Sequence, residues 1–191
     1  MEESSTRPAR AGDDTPGEMV LRPVGVVRNS TKEPFLVAGG DGLALREDLD
    51  DAMEHVHETN NGTSEIVVNK DLIESLDGIE DYSHLTVLYW AHQVPETGRS
   101  LTRVHPMGRK DMPLTGLFGT CSPARPNPVL VTVVRLCGRN ENVLEVAGLD
   151  AIDGSPVIDI KPYVREFFPR EGVRIPWWMQ QFMREFGRSD Q

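Results

Sequence analysis

Four segments of this 191-residue chain set polar side chains among turn residues between apolar runs, the composition of loops that hold ligands. In the first, an apolar run ending at Tyr89-Trp90 delivers His92 and Gln93. A histidine and glutamine at a strand end can bond a ligand, and they serve as readily in a structural role. The second reads Gly119-Thr120-Cys121-Ser122-Pro123-Ala124-Arg125-Pro126-Asn127-Pro128. Its prolines fix φ at three places and hold Ser122, Arg125 and Asn127 at set angles. A guanidinium such as that of Arg125 forks onto a carboxylate or phosphate, and an amide such as Asn127 both donates and accepts. In the third, Asp150 and Asp153 flank Ala151-Ile152 between turns at Gly148 and Gly154. A carboxylate there can take a ribose hydroxyl while backbone groups read an adenine edge. The same aspartates can also close Asx turns on their own backbone. The fourth, Val157 to Tyr163, is a strand with a rigid exit at Pro162.

Charge bears on what these segments could bind. The net charge is −10, which argues against a polyanion, but it is segregated. Residues 41–81 carry thirteen acidic side chains against two basic ones. Residues 99–139 carry seven Arg or Lys against one acid, with Arg99, Arg103, Arg109 and Lys110 as candidate phosphate contacts. A solvated basic face on an acidic protein is the competing account. Cys121 and Cys137 form no C-x-x-C pair and lack ligand-spaced histidines, so free thiols and no metal site are expected. No apolar run approaches the roughly 20 residues a bilayer requires, and Met1 to Gly17 lack a signal-like apolar core. The expectation is a soluble cytoplasmic protein.

Short elements must position these loops. Residues 1–18 read as a disordered tail, 19–165 as one domain, and 166–191 as an extension carrying a helix near 176–187. Strands are expected around 20–28, at 64–69, 85–90, 114–120, 129–137, 143–147 and 157–160, with a short helix near 72–76. Leu45, Leu49, Ala52, Met53 and Val56 recur at helical spacing, which predicts a helix over 43–58. At the C-terminus Trp178, Phe182 and Phe186 fall four apart, widened by Met179 and Met183. That stripe fits a helix docked on its own body, or a contact with a partner. Short Val, Leu and Ile-rich strands predict a mainly β fold, a barrel or sandwich, and no G-x-G-x-x-G signals a Rossmann site.

The wording of the segments carries more than any one of them. Val24 to Ser30, Thr31-Lys32-Glu33-Pro34-Phe35 and Leu76 to Leu85, with Ser122 to Pro128 and Gly148 to Tyr163, resemble the TrmO (TsaA-like) family of S-adenosylmethionine-dependent tRNA methyltransferases. The resemblance runs from about Leu21 to Tyr163. It implies a single-sheeted β-barrel that binds S-adenosylmethionine and works as a homodimer with the cofactor near the subunit interface. It also implies methylation of N6 in the threonylcarbamoyladenosine next to the tRNA anticodon. Carried over, cofactor contacts fall on His92, Gln93, Cys121, Ser122 and Leu149 to Ile152 (thus Asp150 and Ala151), with Arg125 and Asn127 shaping the pocket. This chain departs from the family at Cys121, where an arginine is usual, and at Leu36 to Gly40, where a Pro-Arg-Gln stretch is usual. The helical stretch 43–58 reads as an insertion.

Methyl transfer from a sulfonium is an in-line displacement, so alignment supplies much of the rate. The acceptor nitrogen must also lose a proton. Asp150, Asp153, His92 and Tyr89 are the candidates for that role. Two alternatives use the same fold: methylation of a small molecule or protein, and a non-catalytic S-adenosylmethionine-binding regulator.

Overall fold

The computed structural model describes residues 19–34, 36–39, 42–45 and 62–185. Six antiparallel strands close a barrel in the order β1, β10, β5, β8, β9, β4, with β4 returning to β1. They are β1 (Gly25–Arg28), β4 (Thr63–Val68), β5 (His84–Trp90), β8 (Val129–Asn140), β9 (Val143–Ala147) and β10 (Pro156–Pro162). Alternation along β5 and β4 turns every second residue inward, which is how a period-two sequence fills a barrel. Val27, Ile66, Leu85, Val87, Tyr89, Val134, Leu144, Val146 and Val157 fill the interior. The mainly β barrel expected from the sequence is the fold observed.

A second layer lies beside the barrel. Hairpin β2 (Leu36–Gly39) and β3 (Gly42–Leu45) packs near the short pair β6 (Arg103–Val104) and β7 (Thr115–Gly116) and the single turn Glu96–Arg99. The C-terminal helix, Trp177–Glu185, docks Trp178 and Phe182 on Met112, with Met107 and Met179 alongside. It is therefore docked on its own chain, through the segment 105–112.

Several local expectations need correction. The helix predicted over 43–58 begins in a strand instead, because Gly39 and Gly42 bracket a hairpin turn that pairs Leu36 with Leu45. Its remainder lies outside the described residues, as do the tail 1–18 and Phe186. The strand predicted over 114–120 is only Thr115–Gly116, followed by a 3-10 turn, Leu117–Gly119, on which Thr120 folds back by bonding Leu117 O. Residues 19–24 precede the first strand, since Pro23 offers no N–H to a ladder.

Arg109 fastens the C-terminal helix. Its guanidinium reaches Asp111 and Glu185, each at 2.7 Å, and lies over the Phe182 ring at 5.7 Å. The Arg109 hydrogen bond holds the Asp111 carboxyl below the usual carboxylate range. Glu185 is held low first by the Gln181 amide and then by Arg109. Depressed carboxylates stabilise above their unfolded pKa of about 4, and the contribution is lost as pH falls through their lower folded values. Limited proteolysis should therefore cut within 177–185 faster in Arg109→Ala than in wild type, and faster below about pH 4 than at pH 7. Equal cleavage rates would mean that the apolar contacts alone hold the helix.

Candidate functional site at one rim of the barrel

Strand direction decides which loops meet. In the antiparallel order, β1, β5 and β9 end at the same rim at which β4, β8 and β10 begin. The segments after Arg28, after Trp90, before Val129 and between Ala147 and Pro156 therefore share one end of the barrel. Three of the four polar segments of the sequence lie there, and the fourth, Val157 to Tyr163, lies within β10 and its exit, leading away from it.

Specific bonds tie these loops together. Ala91 N donates to Pro128 O at 2.8 Å, joining the end of β5 to the proline-rich loop. His92 Nδ1 stands 3.4 Å from the hydroxyl of Ser155, and Gln93 donates to Lys32 O at 3.1 Å. Gly154, at φ 78°, lies against the other imidazole nitrogen, where an added Cβ would sit 3.8 Å from Nε2. His92 is half-buried and Gln93 exposed.

The proline-rich loop is braced from within. Arg125 folds back to donate to Thr120 O at 3.0 Å, and Ser122 Oγ accepts Ala124 N at 3.2 Å. Ser122 is buried, whereas Cys121 and Asn127 are exposed. The Nε of Arg125 is buried and finds no hydrogen-bond acceptor among the described residues. A buried cationic N–H without an acceptor is costly, and a bound anionic group can satisfy it.

The third segment is anchored to the barrel. Leu149 and Ala151 are buried, Ile152 is half-buried and Asp150 is exposed. From inside the barrel, Tyr89 donates its hydroxyl to Asp150 O and lies 3.2 Å from Thr132 Oγ1. Burial, reinforced by the Asp150 carboxylate, pushes the Tyr89 phenol well above its ordinary range. Asp153 pairs with Lys32 at 2.8 Å and accepts Asn29 N at 3.2 Å, and both contacts hold its carboxyl below the usual range. Of the four proton-acceptor candidates, Tyr89 and Asp153 are thus engaged in holding the loop.

The basic candidates belong to the second layer. Arg99 stacks over Trp90 at 5.6 Å, Arg103 is exposed and reaches Leu114 O, and Lys110 is exposed. Arg109 is committed to Asp111 and Glu185. Sequence reasoning passed over Phe118, which is 85% exposed on the 3-10 turn leading into Cys121. Asn29 was also passed over as a site residue. Its signal is an amide immediately after a strand, and its bonds to Ser64, Ala151 and Asp153 span 35 to 124 residues. Among the described residues no group of three His, Cys, Asp or Glu is placed to hold a metal ion. No helix among them is long and apolar enough to cross a membrane.

Residues 53–167 match the tRNA-methyltransferase O N-terminal domain family. A probable S-adenosyl-L-methionine-binding protein of Methanothermobacter thermautotrophicus is 40% identical over 151 residues, covering 78% of this chain and 93% of its own. The tRNA (adenine(37)-N6)-methyltransferase of Escherichia coli is 32% identical over 145 residues, or 74% of this chain and 56% of that protein. A crystal structure of TrmO from P. aeruginosa superposes with a TM-score of 0.60 at 25% identity, covering 87% of this chain and 64% of that one. The chain spans somewhat under two thirds of the TrmO chain it superposes on.

Proposed function

Because this chain belongs to the tRNA-methyltransferase O family, we propose that it binds S-adenosylmethionine at this rim and methylates N6 of threonylcarbamoyladenosine beside the tRNA anticodon. The observation that carries the reading is the convergence of His92-Gln93, the 120–127 loop and Leu149 to Ile152 on one end of the barrel. The residues present fit the cofactor chemically. The unsatisfied Nε of Arg125 suits the carboxylate of its methionine part. The backbone of 149–152, fixed from below by Tyr89, suits an adenine edge. Ser122 and Asn127 shape the same pocket.

The cofactor supplies an electrophilic methyl group on a sulfonium. The chain's task is to align the acceptor nitrogen with it and to receive the proton that nitrogen gives up. His92 is assigned that proton, since Tyr89 and Asp153 are committed to the loop. Asp150 is exposed at the same rim and orients the ribose. A cytoplasmic location follows from a tRNA substrate.

Two measurements test the assignment. Calorimetry with S-adenosylmethionine should show micromolar affinity, roughly −7 to −8 kcal/mol. Mass spectrometry of tRNA nucleosides from a deletion strain should show the methylated threonylcarbamoyladenosine gone. With tRNA, each of Arg103→Ala and Lys110→Ala should lower the slope of log affinity against log salt by about one, and Arg99→Ala, whose guanidinium already faces Glu96 at 3.5 Å, by less. Arg109→Ala should change it least, because its charge is already compensated. Binding indifferent to salt would turn the search to a smaller acceptor. Cofactor binding without any methyl transfer would favour a regulator, a reading supported by the Methanothermobacter thermautotrophicus relative, which is named only for S-adenosyl-L-methionine binding.

The working unit is a homodimer. On the outer face of β8, Val131 is 58% and Val133 43% exposed, opposite Leu88 and Thr86 of β5. Adjacent exposed aliphatics on a barrel wall suit a self-complementary contact. Light scattering should give about twice the 21.3 kDa chain mass, falling to one chain in Val131→Glu/Val133→Glu. A dimer that persists in this variant, but is lost on truncation before Trp177, would move the interface to the C-terminal helix.

A further inference from the structure

The exit of β1 reaches across the rim to the 149–153 loop, and one amide does most of the reaching. Asn29 Nδ2 donates to Ala151 O at 2.7 Å and to Ser64 Oγ at 3.1 Å, while its Oδ1 accepts Thr31 N at 3.1 Å. Both amide hydrogens and the carbonyl oxygen are thus in use, a set that neither aspartate nor serine reproduces. Ser64 is buried at the start of β4, so the side chain stitches β1, β4 and the loop together. A second layer closes outside it. Lys32 Nζ bonds Asn29 O at 3.1 Å and Asp153 at 2.8 Å, and Asp153 N donates to Thr31 O at 2.7 Å.

We propose that Asn29 is a positioning residue for the cofactor-binding loop, with the Lys32–Asp153 pair as its outer latch. The proposal rests on the assignment of 149–152 to the cofactor given above. Tyr89 holds Asp150 O from inside the barrel and Asn29 holds Ala151 O from the rim, so two successive carbonyls are gripped from two sides. With those carbonyls turned toward the protein, the opposite edge of the loop faces outward in a single conformation. A cofactor then meets a loop already ordered, and its binding energy is not spent on ordering it.

Asn142 supplies the matched control. Like the half-buried Asn29 it donates its amide to a backbone carbonyl, that of Val68, but it is buried and sits at the opposite rim. Asn29→Ala and Asn142→Ala are compared for thermal unfolding and for S-adenosylmethionine binding by calorimetry, well below both unfolding midpoints. Both should unfold at lower temperature. Only Asn29→Ala should raise the dissociation constant, by about tenfold. In turnover, KM for S-adenosylmethionine should rise with kcat at saturation near that of wild type. If Asn29→Ala does not fold, Asp153→Ala, which removes the outer latch and the bond from Asn29 N but leaves the Asn29 amide in place, should still weaken binding several-fold. Unchanged affinity in the folded variant, or an equal loss in Asn142→Ala, overturns the positioning role. Wild-type protein that fails to bind S-adenosylmethionine overturns the cofactor assignment, and the role falls with it.

Discussion

His92→Ala is expected to slow single-turnover methylation about a hundredfold, with affinity for S-adenosylmethionine changed by no more than a few-fold. The magnitude is that of a positioned proton acceptor, whose loss costs about 10²- to 10⁴-fold. Geometry motivates the choice. Tyr89 is buried, with its phenol held protonated and its hydroxyl spent on Asp150 O. Asp153 is paired with Lys32. His92 instead stands half-buried at the rim, one ring nitrogen toward Ser155 and the other beside the glycine at 154. Imidazole is the side chain suited to exchange a proton near neutrality. The comparison of rate with affinity separates two roles the residue could play. A raised dissociation constant with an unchanged bound-state rate would make His92 a cofactor contact only. If rate and affinity both stay at wild-type values, it has no part in the site.

Legibility of the fold followed the range of the forces involved. Strand β9 was read at its observed bounds, and β5 within one residue, because alternation of Leu, Val and Glu or Thr is a local pattern that the barrel merely uses. Within the hairpin Leu36–Leu45, Leu43 to Leu45 read as the start of a helix because Leu45, Leu49 and Ala52 share a helical spacing. Against that periodicity, a pairing set by two glycines at 39 and 42 leaves little trace. The polar segments at 119–128 and 147–156 were visible as loops rich in proline and glycine, but their meeting at one rim depends on strand direction around a closed sheet. Asn29 shows the limit most directly, since its bonds to Ser64, Ala151 and Asp153 span 35 to 124 residues. Arg109 erred the other way. In sequence it belonged to a basic stretch, and in the fold Glu185 arrives from 76 residues away to neutralise it.

Gly25→Ala should destabilise the protein by about 1 to 3 kcal/mol, and Gly25→Val by more, through the seam at which the barrel closes. Gly25 is paired on both sides, with Val157 of β10 and Val68 of β4. A Cβ at this position would lie 2.5 Å from Val67 O and 3.0 Å from Val68 Cα. Both obstacles are backbone, so no side chain can swing aside, and relief requires β1 to move away from β4. That movement weakens the ladder from Gly25 to Arg28, on which the position of Asn29 depends. A few kcal/mol is a large share of the roughly 5 to 15 kcal/mol that holds a domain folded. In urea the midpoint of Gly25→Ala should fall by about 1 M, taking a slope near 2 kcal/mol/M. S-adenosylmethionine should bind the folded fraction more weakly, because the displaced strand carries Asn29 with it. An unchanged midpoint would show that β1 and β4 part locally at little cost, and that the barrel does not depend on a tight seam at Gly25.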